Sequence, residues 1–350
     1  MITSNKYSDK KIIWFPEKFL SFKNNIITPP IYVRIKPFNK CCHNCDFCIY
    51  RAKNSQMHET MNINDILSKE KTFEILNDFK DMGVKSITYS GGGEPLMHPN
   101  IVDILEKTKN NNIDLSILTN GQFLNKDRAK ALINAKWVRI SMDYCDSITF
   151  IHSNRGTKKM FEQVMSNIES FNKIRNPACD LTVNYIITKN NKSTILDIAK
   201  LLKSIGVDNV RYSPVWSMDI IEYHKEIKDE VLTLLKKAKE YYENDTFKIY
   251  DSYKITPNML NRSYTKCYIL QTIPVIGADE IVYNCHNKAY SEDGIIGSIK
   301  NQTFKEMWFS DKTKKHFENF NPQKHCYQCA NDSKNIFIHE LMDCYGDNFV

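Results

Sequence analysis

The sequence predicts an α/β protein: an open, partial (β/α)6 TIM-like barrel followed by a small C-terminal cysteine-rich domain. Three observations carry that expectation. From Ile31 onward, short β-branched runs alternate with longer amphipathic ones; glycine- or cysteine-rich turns follow the runs; and near residue 246 the alternation gives way to a stretch holding four spaced cysteines. A repeated strand, helix, strand order implies right-handed crossovers and a parallel sheet. Six such units are fewer than the eight of a closed barrel, so the barrel is expected to stay open.

Residues 1–30, ending Thr28-Pro29-Pro30, are too short for a domain and are expected to pack on the outside of the barrel. The barrel itself is assigned to 31–246. Strands are expected at 31–36 (IYVRIK), 85–90 (KSITYS), 113–118 (IDLSIL), 137–142 (WVRISM), 181–187 (LTVNYII) and 209–214 (NVRYSP). Between them, Ile75, Leu76, Phe79 and Met82 recur at helical spacing and stop at Gly83; Ile195, Ile198, Leu202 and Ile205 do the same before Gly206. Glycine just past the last apolar residue is a helix stop. After a last helical stretch at about 225–245, residues 247–350 read as a second, metal-stapled domain.

A chain of 350 residues can bury one large core and a smaller one. No apolar run approaches the roughly 18 residues of a membrane helix, and the opening Met1-Ile2-Thr3-Ser4-Asn5-Lys6 has no secretory pattern. A cytoplasmic protein without a membrane partner is expected. The net charge of +7 suits an acidic redox donor or an anionic substrate. Aromatics from Tyr241 and Tyr242 through Phe247, Tyr250 and Tyr253 lack a basic stripe, which speaks against nucleic acid as a partner.

Of eleven cysteines, seven fall into two sets, Cys41, Cys45 and Cys48 against Cys267, Cys285, Cys326 and Cys329. Cytosolic thiols stay reduced, and soft thiolates bind zinc or iron-sulfur clusters. The other four, Cys42, Cys145, Cys179 and Cys344, read as packing residues. The first set forms C-x3-C-x2-C directly after a strand, where parallel α/β folds gather their chemistry. Three thiolates hold three irons of a cubane and leave the fourth open to an outside ligand; zinc, with Cys42 or His43 as a fourth ligand, is the alternative. The second set can saturate a [4Fe-4S] cluster as an electron relay or staple, or hold a structural zinc. Gly91-Gly92-Gly93-Glu94 follows the second strand, where glycines admit a ligand to the backbone and a carboxylate can accept from an ammonium group.

C-x3-C-x-Φ-C with Phe47, followed one unit later by Ser90-Gly91-Gly92-Gly93-Glu94-Pro95-Leu96, resembles the radical S-adenosylmethionine (radical SAM) superfamily. Val138-Arg139-Ile140-Ser141-Met142-Asp143, His152 and Arg155-Gly156 are similar to the pattern of members with C-terminal auxiliary domains. Gly277 to Cys285, Ile295-Ile296-Gly297-Ser298 and Phe304-x3-Trp308 resemble their twitch and SPASM domains, except that the usual Asp-Gly turn reads Asp279-Glu280. One auxiliary cluster, of the twitch type, is the better match.

The resemblance implies a catalytic [4Fe-4S] cluster on Cys41, Cys45 and Cys48, S-adenosylmethionine on its open iron, and a second [4Fe-4S] cluster on Cys267, Cys285, Cys326 and Cys329. It implies Gly92, Gly93 and Glu94 at the methionine amino group, Ser141 and Arg155 at its carboxylate or the ribose, and Asn184 near the ribose. Cys145 would resemble the hydrogen donor of some radical epimerases. The implied reaction is reductive cleavage to a 5′-deoxyadenosyl radical that takes hydrogen from a substrate C–H bond. It would oxidise or epimerise a sugar, aminocyclitol or nucleoside, with a flavodoxin or ferredoxin as reducing partner. Modification of a ribosomally made peptide and a non-enzymatic zinc-binding protein are the alternatives.

Overall fold

A computed structural model describes residues 6–51, 58–255 and 260–344. Each of the six expected runs is a strand: β1 (Tyr32–Ile35), β2 (Ser86–Tyr89), β3 (Asp114–Thr119), β4 (Trp137–Met142), β5 (Asp180–Ile187) and β6 (Asn209–Pro214). They lie side by side in chain order, every pair parallel. Alternation sorts their faces. On β4, Val138, Ile140 and Met142 are buried, whereas Arg139 and Ser141 on the opposite face are only half-buried. Helices cover the apolar face: Lys69–Met82 buries Ile75, Leu76 and Phe79, and Ile195–Ser204 buries Ile198, Ala199 and Leu202. The first ends as expected at Gly83, whose φ of 77° suits a residue without Cβ.

Three features differ from the expectation. A seventh parallel strand, β7 (Lys248–Asp251), joins β6, so the barrel sheet runs past residue 246. Four residues are too few to show an alternation. The cysteine-rich part is also continuous with the barrel: β8 (Val275–Ile276) pairs in parallel with β1, then β9 (Ile281–Tyr283) and β10 (Ile295–Ser298) follow antiparallel. The result is one ten-stranded sheet in the order β10-β9-β8-β1-β2-β3-β4-β5-β6-β7.

The N-terminal extension, third, does not lie wholly outside. Tyr7 packs edge-on against Tyr250 with ring centroids 4.7 Å apart, and the guanidinium groups of Arg139 and Arg211 lie 5.4 and 5.1 Å from its ring. Both arginines belong to the half-buried inner face of the barrel. Lys6 bonds Asp180 at 2.7 Å, at the start of β5. Further along, Phe22 packs on Tyr268 and Trp308 Nε1 donates to the Thr28 carbonyl at 3.0 Å, tying the extension to the C-terminal part. Such cation and aromatic pairings join distant residues, so no local pattern announces them. No helix among the described residues is long and apolar enough to cross a membrane.

Candidate active site: two cysteine centres facing one cavity wall

The loop after β1 carries Cys41, Cys45 and Cys48, and the glycine loop after β2 is stitched to it. Gly93 N donates to Phe38 O at 3.0 Å and Glu94 N to Lys40 O at 2.9 Å. A Cβ at position 93 would stand 2.1 Å from the Lys40 carbonyl oxygen, and one at position 92 would stand 2.1 Å from Asn39 Oδ1. Glycine is therefore what lets the two loops close on each other.

All three thiols are half-buried and free of disulfides, and Cys45 and Cys48 each feel the charge of Cys41. The amides of His43 and Tyr50 reach the sulfurs of Cys41 and Cys48. Asn120 Nδ2 adds bonds of 3.6 Å to Cys41 Sγ and 3.4 Å to Cys42 Sγ. A hydrogen bond from the Cys42 thiol brings Cys41 down to about 6, whereas burial pushes Cys45 up to about 11. Amide donors on grouped thiols suit an iron-sulfur cluster, whose sulfurs are tuned by such bonds. Among the described residues no group of three His, Cys, Asp or Glu side chains is already gathered around a single point.

Glu94 is buried, and its carboxylate already accepts hydrogen bonds within the protein. Oε1 accepts from Thr119 Oγ1 at 2.6 Å and from Leu96 N at 3.0 Å, and Oε2 from Asn120 N at 2.7 Å. Burial above all, then the charge of Cys41, raises its pKa to about 7. A carboxylate has about four acceptor sites, so one is left on Glu94, and the carbonyls of Gly92 and Gly93, which receive no hydrogen bond from a described residue, stand beside it as further acceptors.

Arg155 is likewise engaged within the protein. Its side chain is fully buried, its Nε pairs with Asp143, its Nη1 lies 3.3 Å from His43 Nδ1, and its guanidinium lies over the rings of Tyr144 and Phe47. It braces the cysteine loop from beneath. Ser141 and Asn184 do come together, as register partners on β4 and β5, with Asn184 Oδ1 accepting from Ser213 Oγ at 3.1 Å. Cys145 Sγ lies 3.8 Å from Asp146 Oδ2, in the cap of the next helix.

A cavity of about 770 Å3 opens beside the cysteine loop at the ends of β4, β5 and β6, with Phe47, Asp143, His152, Asn190, Trp216 and Met218 among its lining. That volume suits a small-molecule site. No motif in the sequence announces Trp216 and Met218 as site residues. Their signal was an aromatic and an apolar residue in the loop after a barrel strand, where polar residues are usual.

The second set closes a smaller cavity of about 210 Å3, lined by Cys285, Cys326 and Cys329 with Trp216 and Met218 opposite. Cys267 shares the site, its pKa raised by burial first and then by the charge of the other three. Amides again serve the sulfurs: Asn331 N lies 3.4 Å from Cys329 Sγ, and Asn287 and Lys288 donate to Cys285. The Asp279-Glu280 departure leaves the turn intact, because Glu280 itself takes the left-handed conformation at φ 61°. Gly277 N still reaches Ile281 O at 2.9 Å.

Residues 35–202 match the family model of the radical SAM superfamily, and residues 267–330 match that of the SPASM iron-sulfur cluster-binding domain. The chain belongs to the radical SAM superfamily. This radical SAM chain is thus an enzyme using a catalytic [4Fe-4S] cluster and S-adenosylmethionine, with an auxiliary iron-sulfur cluster in its C-terminal part. It is similar to GTP 3′,8-cyclase of Aquifex aeolicus, 29% identical over 221 residues that make up 60% of this chain and 65% of the cyclase. It also resembles the S-adenosylmethionine-dependent nucleotide dehydratase of Flammeovirga pacifica, 28% identical over 48% of this chain and 56% of that enzyme. The match spans less than two thirds of either relative's length.

Among solved structures, SuiB of Streptococcus suis bound to precursor peptide SuiA superposes with a TM-score of 0.61 at 16% identity, covering 90% of this chain and 74% of SuiB. The enzyme anSMEcpe with AdoMet and the Kp18Cys peptide gives 0.61 at 19%, covering 87% and 88%. At these identities the likeness is one of fold.

Proposed function

We propose that this radical SAM enzyme oxidises a small anionic molecule of the nucleotide class. When bound, the cluster and S-adenosylmethionine supply the 5′-deoxyadenosyl radical that takes hydrogen from a substrate C–H bond. The chain's own residues supply the rest: Cys41, Cys45 and Cys48 as ligands, Glu94 and the carbonyls of Gly92 and Gly93 as acceptors for the methionine ammonium, Ser141 and Asn184 toward the ribose, and Phe47 and Trp216 as apolar walls that exclude water.

The charge of the barrel lumen supports the substrate class, although Arg34, Arg139, Arg211 and Lys334 are not among the residues that line the cavity itself. Arg34 on β1, Arg139 on β4 and Arg211 on β6 all sit half-buried on the inner faces of their strands. Lys334, from the helix Asp332–Asp343, approaches the same space, its pKa lowered by burial first and then by Arg34, with Arg211 and Lys11 adding to it. Burial and then Arg139 depress Arg211 likewise. Asp9 is the carboxylate that acts on both. Gathering like charges out of water is costly unless an anion joins them, and arginine forks suit phosphate. Both curated relatives named above act, by their names, on nucleotides. Oxidation is favoured over epimerisation because Cys145 is not among the residues that line the cavity.

Anaerobic reconstitution with iron and sulfide, followed by S-adenosylmethionine and dithionite, tests the reading through 5′-deoxyadenosine measured by mass spectrometry. Nucleoside triphosphates are expected to stimulate its formation, and Arg211→Ala to weaken that stimulation about tenfold, the effect of losing roughly 1.4 kcal/mol of binding. A Cys41, Cys45, Cys48 to Ala triple variant should give none. Stimulation by short peptides and not by nucleotides would overturn the substrate class.

A further inference from the structure

The two cavities share one wall. Trp216 and Met218 line both the larger cavity beside Cys41–Cys48 and the smaller one at the auxiliary cysteines. This wall is the stretch between the end of β6 at Pro214 and the helix that begins at Ile220. The ties of its own flanks lie at its two ends: Val215 bonds Ile187 O through its amide at 2.9 Å and His224 Nε2 through its carbonyl at 3.1 Å, and Asp219 bonds Ser217 Oγ through its amide at 3.2 Å and Tyr223 N through its carbonyl at 2.8 Å.

The middle of the wall is held from across the gap. Gln328 Nε2 donates to the Ser217 carbonyl at 2.9 Å, and the Tyr327 hydroxyl to the Met218 carbonyl at 3.2 Å. Tyr327 and Gln328 are the two residues between Cys326 and Cys329, so their backbone can go only where those two sulfurs go. Gln328 is buried, and its carbonyl accepts from Asn287 Nδ2 at 3.2 Å, two positions after Cys285. Three of the four auxiliary ligands are thereby connected to one stretch of the substrate cavity.

We infer that Tyr327 and Gln328 are positioning residues through which the auxiliary cysteine centre sets the shape of the larger cavity, by fixing Trp216–Met218. The inference rests on the reading that this cavity receives the reactants. Gathering the four sulfurs on one cluster holds the Cys326–Cys329 turn, the turn holds two carbonyls of the wall, and the wall places Trp216. Loss of the cluster would release the wall even where the rest of the barrel stays folded.

Hydrogen exchange in the wall tests this without any substrate. The reconstituted full chain is compared anaerobically with Tyr327→Phe/Gln328→Glu, which removes both donors while keeping side-chain size, and with Cys326→Ala/Cys329→Ala, which removes ligands. Exchange of amides within 213–223 is expected to rise about tenfold in each, with the helix Ile195–Ser204 unchanged as a folding control. Combining all four substitutions should bring no further rise, since both pairs act through one linkage. Gln328→Lys, which keeps a donor, should restore part of the protection. A wild-type exchange rate in the donor variant, at an iron content equal to wild type, overturns the inference; so does an additive effect of the two pairs. Should the donor variant lose iron, Tyr327→Phe alone is the comparison, with the same two outcomes. Nucleotides enter none of these measurements, so failure of the substrate proposal and failure of this one are distinguishable.

Discussion

Thr119 donates its hydroxyl to the Glu94 carboxylate at 2.6 Å, fastening the end of β3 to the glycine loop after β2. The same carboxylate takes the amides of Leu96 and Asn120, and Asn120 in turn reaches the Cys41 sulfur. Glu94→Ala would bury three donors without partners, each costing about 1–3 kcal/mol. A loss of about 3–5 kcal/mol in urea unfolding is expected, with Glu94→Gln milder because it keeps one acceptor oxygen. An unchanged midpoint for Glu94→Ala would show that the tie bears no weight.

Gly93→Ala should be the more selective lesion. Its Cβ would meet the Lys40 carbonyl, which is backbone and cannot swing away. Overpacking of this kind costs about 1–3 kcal/mol or more, here concentrated on the loop of the first cysteine set. Iron and acid-labile sulfide should fall from about eight irons per chain to about four, the content of one cluster. Equal loss from both centres would contradict a local effect.

His224 gives a pH dependence. It is buried, with Nε2 placed to donate to the Val215 carbonyl at 3.1 Å and Nδ1 to accept from the Tyr253 hydroxyl at 2.8 Å. Burial first, then Lys189, lowers its pKa against the opposing Val215 bond. The unfolded chain protonates this residue near pH 6.5 while the folded chain does not, so the unfolded state binds more protons below that point and stability falls with acid. The contribution reaches at most about 1.4 kcal/mol per pH unit, present above pH 6.5 and lost below it. In thermal unfolding between pH 8 and pH 5.5, His224→Gln should flatten the acid limb. A parallel curve would mean that other groups carry it.

Glu280 holds a left-handed turn position where glycine pays no Cβ penalty. Glu280→Gly is expected to stabilise the β8–β9 hairpin by about 1 kcal/mol, read as a higher unfolding midpoint with iron content unchanged. A lower midpoint would mean that the Glu280 side chain contributes more than its backbone costs.

The six strands of the barrel were legible because β-branched runs and helix stops are local properties, and the two cysteine sets because thiol spacing is local as well. What stayed hidden depends on residues meeting across the fold. The pairing of β8 with β1 joins two short strands whose partnership no pattern of either announces. The contact of Cys145 with Asp146 and the depth at which Arg155 is buried against Asp143 are outcomes of packing, which the identity of a motif residue does not announce. The Trp216–Met218 wall belongs to a loop, where sequence periodicity is silent.

The union of barrel and auxiliary hairpin in one sheet has a consequence for how the protein is made. β1 leaves the ribosome before every other strand of this sheet, yet the partner on its outer edge, β8, is encoded roughly 240 residues later. At about 5–20 residues per second, that edge waits roughly ten to fifty seconds for its cover. An unpaired parallel edge attracts strands from neighbouring chains, and so distant a closure is slow to form. Yield in a host should therefore respond to chaperone supply and to slower, cooler synthesis, and a gene ending before Val275 would release nascent barrels with an open flank.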